Sequence, residues 1–163
     1  MTDEFFEMTA LATSGVAADG PAASVALHRR AVLEMTQAAE DAVLAPERPG
    51  AWSASMRAAF AVRIAMLNGN AELAERYRPR IEDQDAVPLS LPENDGAAQG
   101  LAEVVAFMDK VAAKTRDVTA ADVEGLKAAG VADGDIVRLA ELNAFLAYQI
   151  RVVAGLTLMR GSK

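Results

Sequence analysis

Two stretches of the chain read as helices with no polar side. In RAAFAVRIAML, from Arg57 to Leu67, apolar residues occupy every side of the helical wheel, and the same holds for IVRLAELNAFLAYQIRVVAGL, from Ile136 to Leu156. A helix apolar all round must be enclosed by others, so both are expected at the centre of a helical array, over about 55–68 and 134–158. The small residues Ala58, Ala59, Ala61, Ala65, Ala144, Ala147, Ala154 and Gly155 let neighbours approach closely. Alternatively, a second subunit closes part of this apolar surface, and the two arrangements are compatible.

The rest of the chain supports an all-α fold. Alanine makes up roughly a fifth of it, aromatic content is 5% and β-branched residues are sparse. A length of 163 residues suits one domain over 1–163. The prolines, at 21, 46, 49, 79, 88 and 92, leave the intervals into which helices must fit. The spacing predicts a short amphipathic helix from Asp3 to Leu11, with Phe5, Phe6 and Met8 near its apolar face, and a longer one from about Ala22 to Leu44. In the longer helix Val25, Val32, Met35 and Val43 form the expected core stripe, with Arg29, Arg30, Glu34 and Asp41 on the wetter side. Ser53 or Ser55 caps the first apolar helix, which stops at Asn68-Gly69. Asn70 then caps AELAERYR, which Pro79 ends. Between Glu82 and Gly96 stand five acids, two prolines and no basic residue, read as a solvated acidic linker. Beyond it helices are expected from about Ala97 to Lys114, Ala120 to Ala129 and Gly134 to Met159, with Thr119 and Asp122 spaced as a capping box.

Composition excludes several functions. There is no cysteine, which removes disulfides, thiolate metal sites and cysteine nucleophiles, and a single histidine, His28, argues against imidazole-rich metal sites and histidine relays. A net charge of −7 opposes a nucleic-acid groove. The early acids in MTDEFFEMTAL do not fit a secretory signal, and the longest uncharged apolar runs are too short to span a bilayer, so an intracellular, cytoplasmic protein with no membrane partner is expected. No nucleotide, serine-hydrolase or zinc-protease motif occurs, and no cofactor or metal is expected.

The segment from Met56 to Tyr77, MRAAFAVRIAMLNGNAELAERY, resembles the signature helix pair of the carboxymuconolactone decarboxylase and AhpD-like alkylhydroperoxidase family. In that family a helix ending in Asn-Gly leads into a Cys-x-x-Cys redox pair followed by a histidine, with a glutamate further upstream. The segment LKAAGVADGDIVRLAELNAFLAYQIRVVAGL is similar to the second helical half of peroxidase-related members. The resemblance implies an AhpD-like multihelical array and a homo-oligomer, a trimer or hexamer, with the signature region near subunit interfaces. It also implies where the redox chemistry would sit: the cysteine positions fall on Asn70 and Leu73, the histidine on Tyr77 and the glutamate on Ala58. None of the four residues can do the work of its counterpart, because asparagine and leucine form no thiolate and tyrosine is a poor proton carrier at neutral pH.

Two readings of function follow. One is a binding or accessory protein without the thiol peroxidase site; the other is a thiol-independent enzyme acting on a small carboxylated substrate, decarboxylase-like or lactone-handling. For the second, Arg63 or Arg151 would hold the carboxylate of a small organic acid, aided by Asn70, Tyr77, Tyr148, Asn143 or Gln149. The structural alternative pairs each arginine with one of the 23 acidic residues. His28 reads as a surface or interface residue, or as a lone general base; Trp52 as a packing anchor; Met56, Met66, Met108 and Met159 as core fillers.

Overall fold

A computed structural model describes residues 2–161; Met1 and residues 162–163 of the expected 1–163 domain lie outside the described residues. The described residues form nine α-helices and four short 3-10 segments, with no strand, so the fold is all-α. In order, the helices are α1 (Thr2–Phe6), α2 (Thr9–Ser14), α3 (Ala23–His28), α4 (Arg30–Leu44), α5 (Ala54–Leu67), α6 (Ala71–Tyr77), α7 (Ala102–Ala113), α8 (Ala120–Ala128) and α9 (Asp133–Gly161).

The absence of a polar side has a direct consequence in α5. Every residue from Arg57 to Ala65 is buried, and the helix touches α4, α6, α7 and α9 as well as the 3-10 segment Gln84–Ser90. Ser53 caps it, its hydroxyl accepting from the Met56 N–H at 3.2 Å, and Gly69 at φ 70° supplies the left-handed turn that ends it. Asn70 then caps α6 by accepting from the Leu73 N–H at 3.0 Å. Trp52 anchors the entry loop: its ring packs edge-on to Phe60 and its Nε1 donates to the Asp135 carbonyl.

The other apolar helix behaves differently. α9 crosses α2, α4, α5, α7 and α8, burying Ile136, Leu139, Leu142, Leu146, Gln149, Val153 and Leu156 on one side. Its opposite side is bare, with Val137 56% and Leu158 75% exposed. By length and composition α9 is apolar enough to cross a membrane, and the same apolar outer side produces both properties.

Several segments differ from what periodicity predicts. The Ala22–Leu44 helix is two helices, interrupted at Arg29, after which the Arg30 guanidinium stands 4.1 Å over the Phe5 ring. The expected core stripe is also rotated: Val25 and Met35 are exposed, and Leu33, Thr36, Glu40 and Leu44 point inward instead. The expected Asp3–Leu11 helix is divided into α1 and α2, although Phe5 and Phe6 are buried as their pattern required. They seed a second apolar cluster with Leu11, Val16, Ala26, Leu33 and Leu156, separate from the main core around α5. The acidic linker is only partly solvated. Its Gln84–Ser90 turn buries Ala86, Leu89 and Ser90 against α5, because the sequence between its acids is apolar. The Ala97–Lys114 helix starts late, at Ala102, since Gly96 and Gly100 both take left-handed φ and isolate a 3-10 turn before it. Met66 and Met159 are exposed rather than core fillers, whereas Met108 is fully buried.

Candidate functional site

The five residues expected to share a ligand pocket are dispersed. Arg63 is 1% exposed and lies against α7 and the acidic segment. Its Nε and Nη2 donate to the two Asp109 oxygens at 2.5 and 2.7 Å, and its remaining N–H groups reach the carbonyls of Leu89, Leu91 and Pro92. A guanidinium has five N–H donors and all five are engaged, so Arg63 ties the 89–92 backbone to α5 and has nothing left for a substrate carboxylate. The structural alternative describes this arginine correctly. Arg151 is not buried at all: it is exposed on the bare side of α9, donating to the Ala147 carbonyl one turn back. Tyr148 is half-exposed and bonds Thr36 across the seam between α4 and α9, at 2.8 Å. Asn70 is committed to its cap, and Asn143 is buried against Met108. His28 is exposed in the last turn of α3.

Tyr77 and Gln149 do come together, around a residue that the pattern had not singled out. Glu40 is 1% exposed on the inner face of α4. Its Oε2 accepts from the Tyr77 hydroxyl at 3.1 Å and from Gln149 Nε2 at 2.9 Å. Its Oε1 accepts from the Thr9 hydroxyl at 2.7 Å, from Gln37 Nε2 at 3.3 Å and from Arg80 at 3.5 Å. Every neighbour is a donor, the environment a buried carboxylate requires. The assembly draws on α2, α4, α6, the turn after α6 and α9, so the N-terminal cluster and the main core meet here. Burial first, and then the charge of Glu40, push the Tyr77 hydroxyl far above its ordinary range, so it serves as a fixed donor and not as a proton carrier.

This network forms one wall of a groove of about 890 Å³. Its lining includes Glu4, Glu7, Glu40 and Glu75 against only two cations, Arg76 and Arg80, with Met8, Thr9, Gln37, Tyr77 and Pro79 between them. The arginines are engaged: Arg80 with Glu40 and Asp41, and Arg76 with the Glu7 carbonyl. A groove of this charge suits a neutral or cationic ligand better than an organic acid.

A second buried cation, Arg57, was also unmarked in the sequence. It donates to the carbonyls of Trp52, Val43 and Pro49 at 2.8–3.0 Å and so fixes the loop before α5. Burial, then the nearby Arg138, lower its pKa. The four positions of the resembling family's redox site are closed or spent: Ala58, Leu73 and Tyr77 are at most 1% exposed, and Asn70 caps α6. Comparison with protein families, curated proteins and solved structures finds no match.

Proposed function

We propose that this protein is an AhpD-like member without the thiol peroxidase site, serving as a binding or accessory protein in a homo-oligomer, a trimer or hexamer by resemblance. The observation that carries the reading is the fate of the redox positions. A peroxide-reducing centre needs a thiolate that peroxide can reach, whereas here Leu73 and Ala58 are packing residues, Asn70 is a cap and Tyr77 holds Glu40. The groove beside Glu40 is the place for a small ligand, since its donors and acids are preorganised by the network behind them. The cytoplasm, with its soluble partners, is the compartment that fits the acidic, cysteine-free composition.

The alternative, a thiol-independent enzyme acting on a small carboxylated substrate, loses its main support because Arg63 is saturated and the groove is acidic. Two assays of the purified protein separate the readings. Organic peroxide and a dithiol reductant should give no turnover, and a thermal-shift panel of small acids and lactones should give a flat response. Peroxide turnover would overturn the proposal, and a saturable shift with an acid or lactone that the protein then consumes would favour the enzyme.

A further inference from the structure

The bare side of α9 carries a pattern. Its exposed stripe runs Val137, Glu141, Ala144, Tyr148, Arg151, Gly155, spaced alternately by four and three residues as one face of a helix requires. Reversed end for end about position 146, the stripe falls on itself: Val137 opposes Gly155, Glu141 opposes Arg151 and Ala144 opposes Tyr148. Each apolar pair sets a larger residue against a small one, and the remaining pair is an acid against a base. Moving the axis one step along the stripe destroys this: Glu141 then faces Ala144 or Leu158, and the charges have no partner. Neither Glu141 nor Arg151 forms a salt bridge within the chain among the described residues.

We infer that α9 is an isologous interface: two copies of this chain pack α9 against α9, antiparallel, on a two-fold axis near residue 146, joined by two Glu141–Arg151 pairs. The inference rests on the oligomeric reading above, in which the hexamer and not the trimer contains a two-fold axis, and adds to it the surface, the symmetry and the register. Two-fold symmetry makes every contact occur twice, so one acid and one base per chain give two ion pairs. Small residues opposite Val137 and Tyr148 let the helices interlock ridge into groove. The stripe from 137 to 155 spans about 27 Å at the helical rise, long enough for a continuous seam. A lipid surface is a poorer occupant, because Glu141 and Arg151 both lie within the apolar stripe, where hydrocarbon would strip both charges of water.

The absence of cysteine makes the test clean. Introduced singly under mild oxidation, Ala144→Cys should give a disulfide-linked pair of chains, since the two copies of position 144 lie about one helical turn apart along the seam. Val137→Cys should not, because its copies are about 27 Å apart. Arg151→Glu should break the two-fold contact, read as a halving of the solution mass from an even multiple of 17.1 kDa (a hexamer to trimers, a simple pair to single chains), and Glu141→Arg combined with Arg151→Glu should restore it. Cross-linking at both positions would indicate a parallel pair and overturn the inference. A larger assembly that neither cross-links through 144 nor responds to Arg151→Glu would overturn it while leaving the oligomeric reading intact, and a wild-type monomer would overturn both. Vesicle binding by the wild-type chain in place of self-association would assign the surface to lipid and also overturn it.

Discussion

Arg63 and Glu40 are both buried charges, each 1% exposed, but their surroundings differ in kind. Arg63 is held by a carboxylate and three main-chain carbonyls, all on elements wrapped round α5, and its donors are used up. Glu40 is held almost wholly by side chains from four helices and a turn, and it stands at the wall of an open groove. A charge clamped by backbone fixes the path of the chain, here the 89–92 segment. A charge clamped by side chains can be re-satisfied when those side chains move, which is the property a binding surface needs. The residue that reads most naturally as a ligand anchor is therefore structural, and the acid with no motif around it marks the groove.

The comparison breaks if the two charges prove equally expendable. Arg63→Met strands three carbonyls and an Asp109 carboxylate that is itself 32% exposed, and should cost about 3 kcal/mol, the lower end of the range for removing one partner of a buried ion pair, measured by urea denaturation. Arg63→Lys should recover little, because an ammonium cannot reach five acceptors in a plane. Glu40→Gln keeps the shape and replaces one acceptor oxygen with a donor facing donors. A loss of about 1–3 kcal/mol is expected, smaller because Arg80, 42% exposed, can turn to water. If Glu40→Gln cost as much as Arg63→Met, the distinction between backbone and side-chain clamping would fail.

How much of this was legible depended on whether the information was local. The caps at Ser53, Asn70 and Thr119, the stop at Gly69 and the enclosure of α5 follow from residue types at short spacing, and the structure has them all. The rotated stripe of α4 was not legible. Val25, Val32, Met35 and Val43 are a good apolar series, but Val25 and Met35 are exposed, Val32 and Val43 are only partly buried, and Leu33, Thr36, Glu40 and Leu44 face inward, where Thr9, Tyr77 and Gln149 satisfy Glu40. Those residues lie 31, 37 and 109 positions away in sequence. The same limit applied to the arginines: Arg63 and Arg151 sit alike in apolar helices, and only packing reveals that one is enclosed and the other bare. Glutamate at the third position of an otherwise inward stripe is the one signal that pointed to the groove, and it becomes visible only after the stripe has been chosen correctly.

Alkaline titration sharpens the contrast, since the Glu40 side contains an ionisable phenol. Tyr77 keeps its proton in the folded chain far above its ordinary value of 10.0, whereas the unfolded chain releases it there. Above pH 10 the unfolded state thus binds fewer protons, and stability should fall by up to about 1.4 kcal/mol per pH unit. The slope should flatten in Tyr77→Phe, which itself loses about 1 kcal/mol at neutral pH with the bond to Glu40. Denaturation midpoints at several alkaline pH values check this. An equally steep decline in Tyr77→Phe would mean that the phenol is not what resists ionisation.

A partly exposed ion pair sets the lower end of the scale. Lys110 bonds both oxygens of Asp122, at 2.7 and 2.8 Å, and the same carboxylate accepts from the Thr119 N–H at the start of α8. Lys110 first and the Thr119 backbone second hold the Asp122 carboxyl below its ordinary value of 3.8. Its contribution is accordingly complete above pH 3.8 and lost as the pH falls from there through the lower folded value, the unfolded state then binding more protons than the folded one. The effect should be the smallest of the series, because water screens a pair at the surface. Urea midpoints of the wild type and Asp122→Asn should differ at pH 5 and converge towards pH 3. A gap that stays constant across that range would mean that Asp122 acts only as a neutral cap, and that charge matters to this fold only where it is buried.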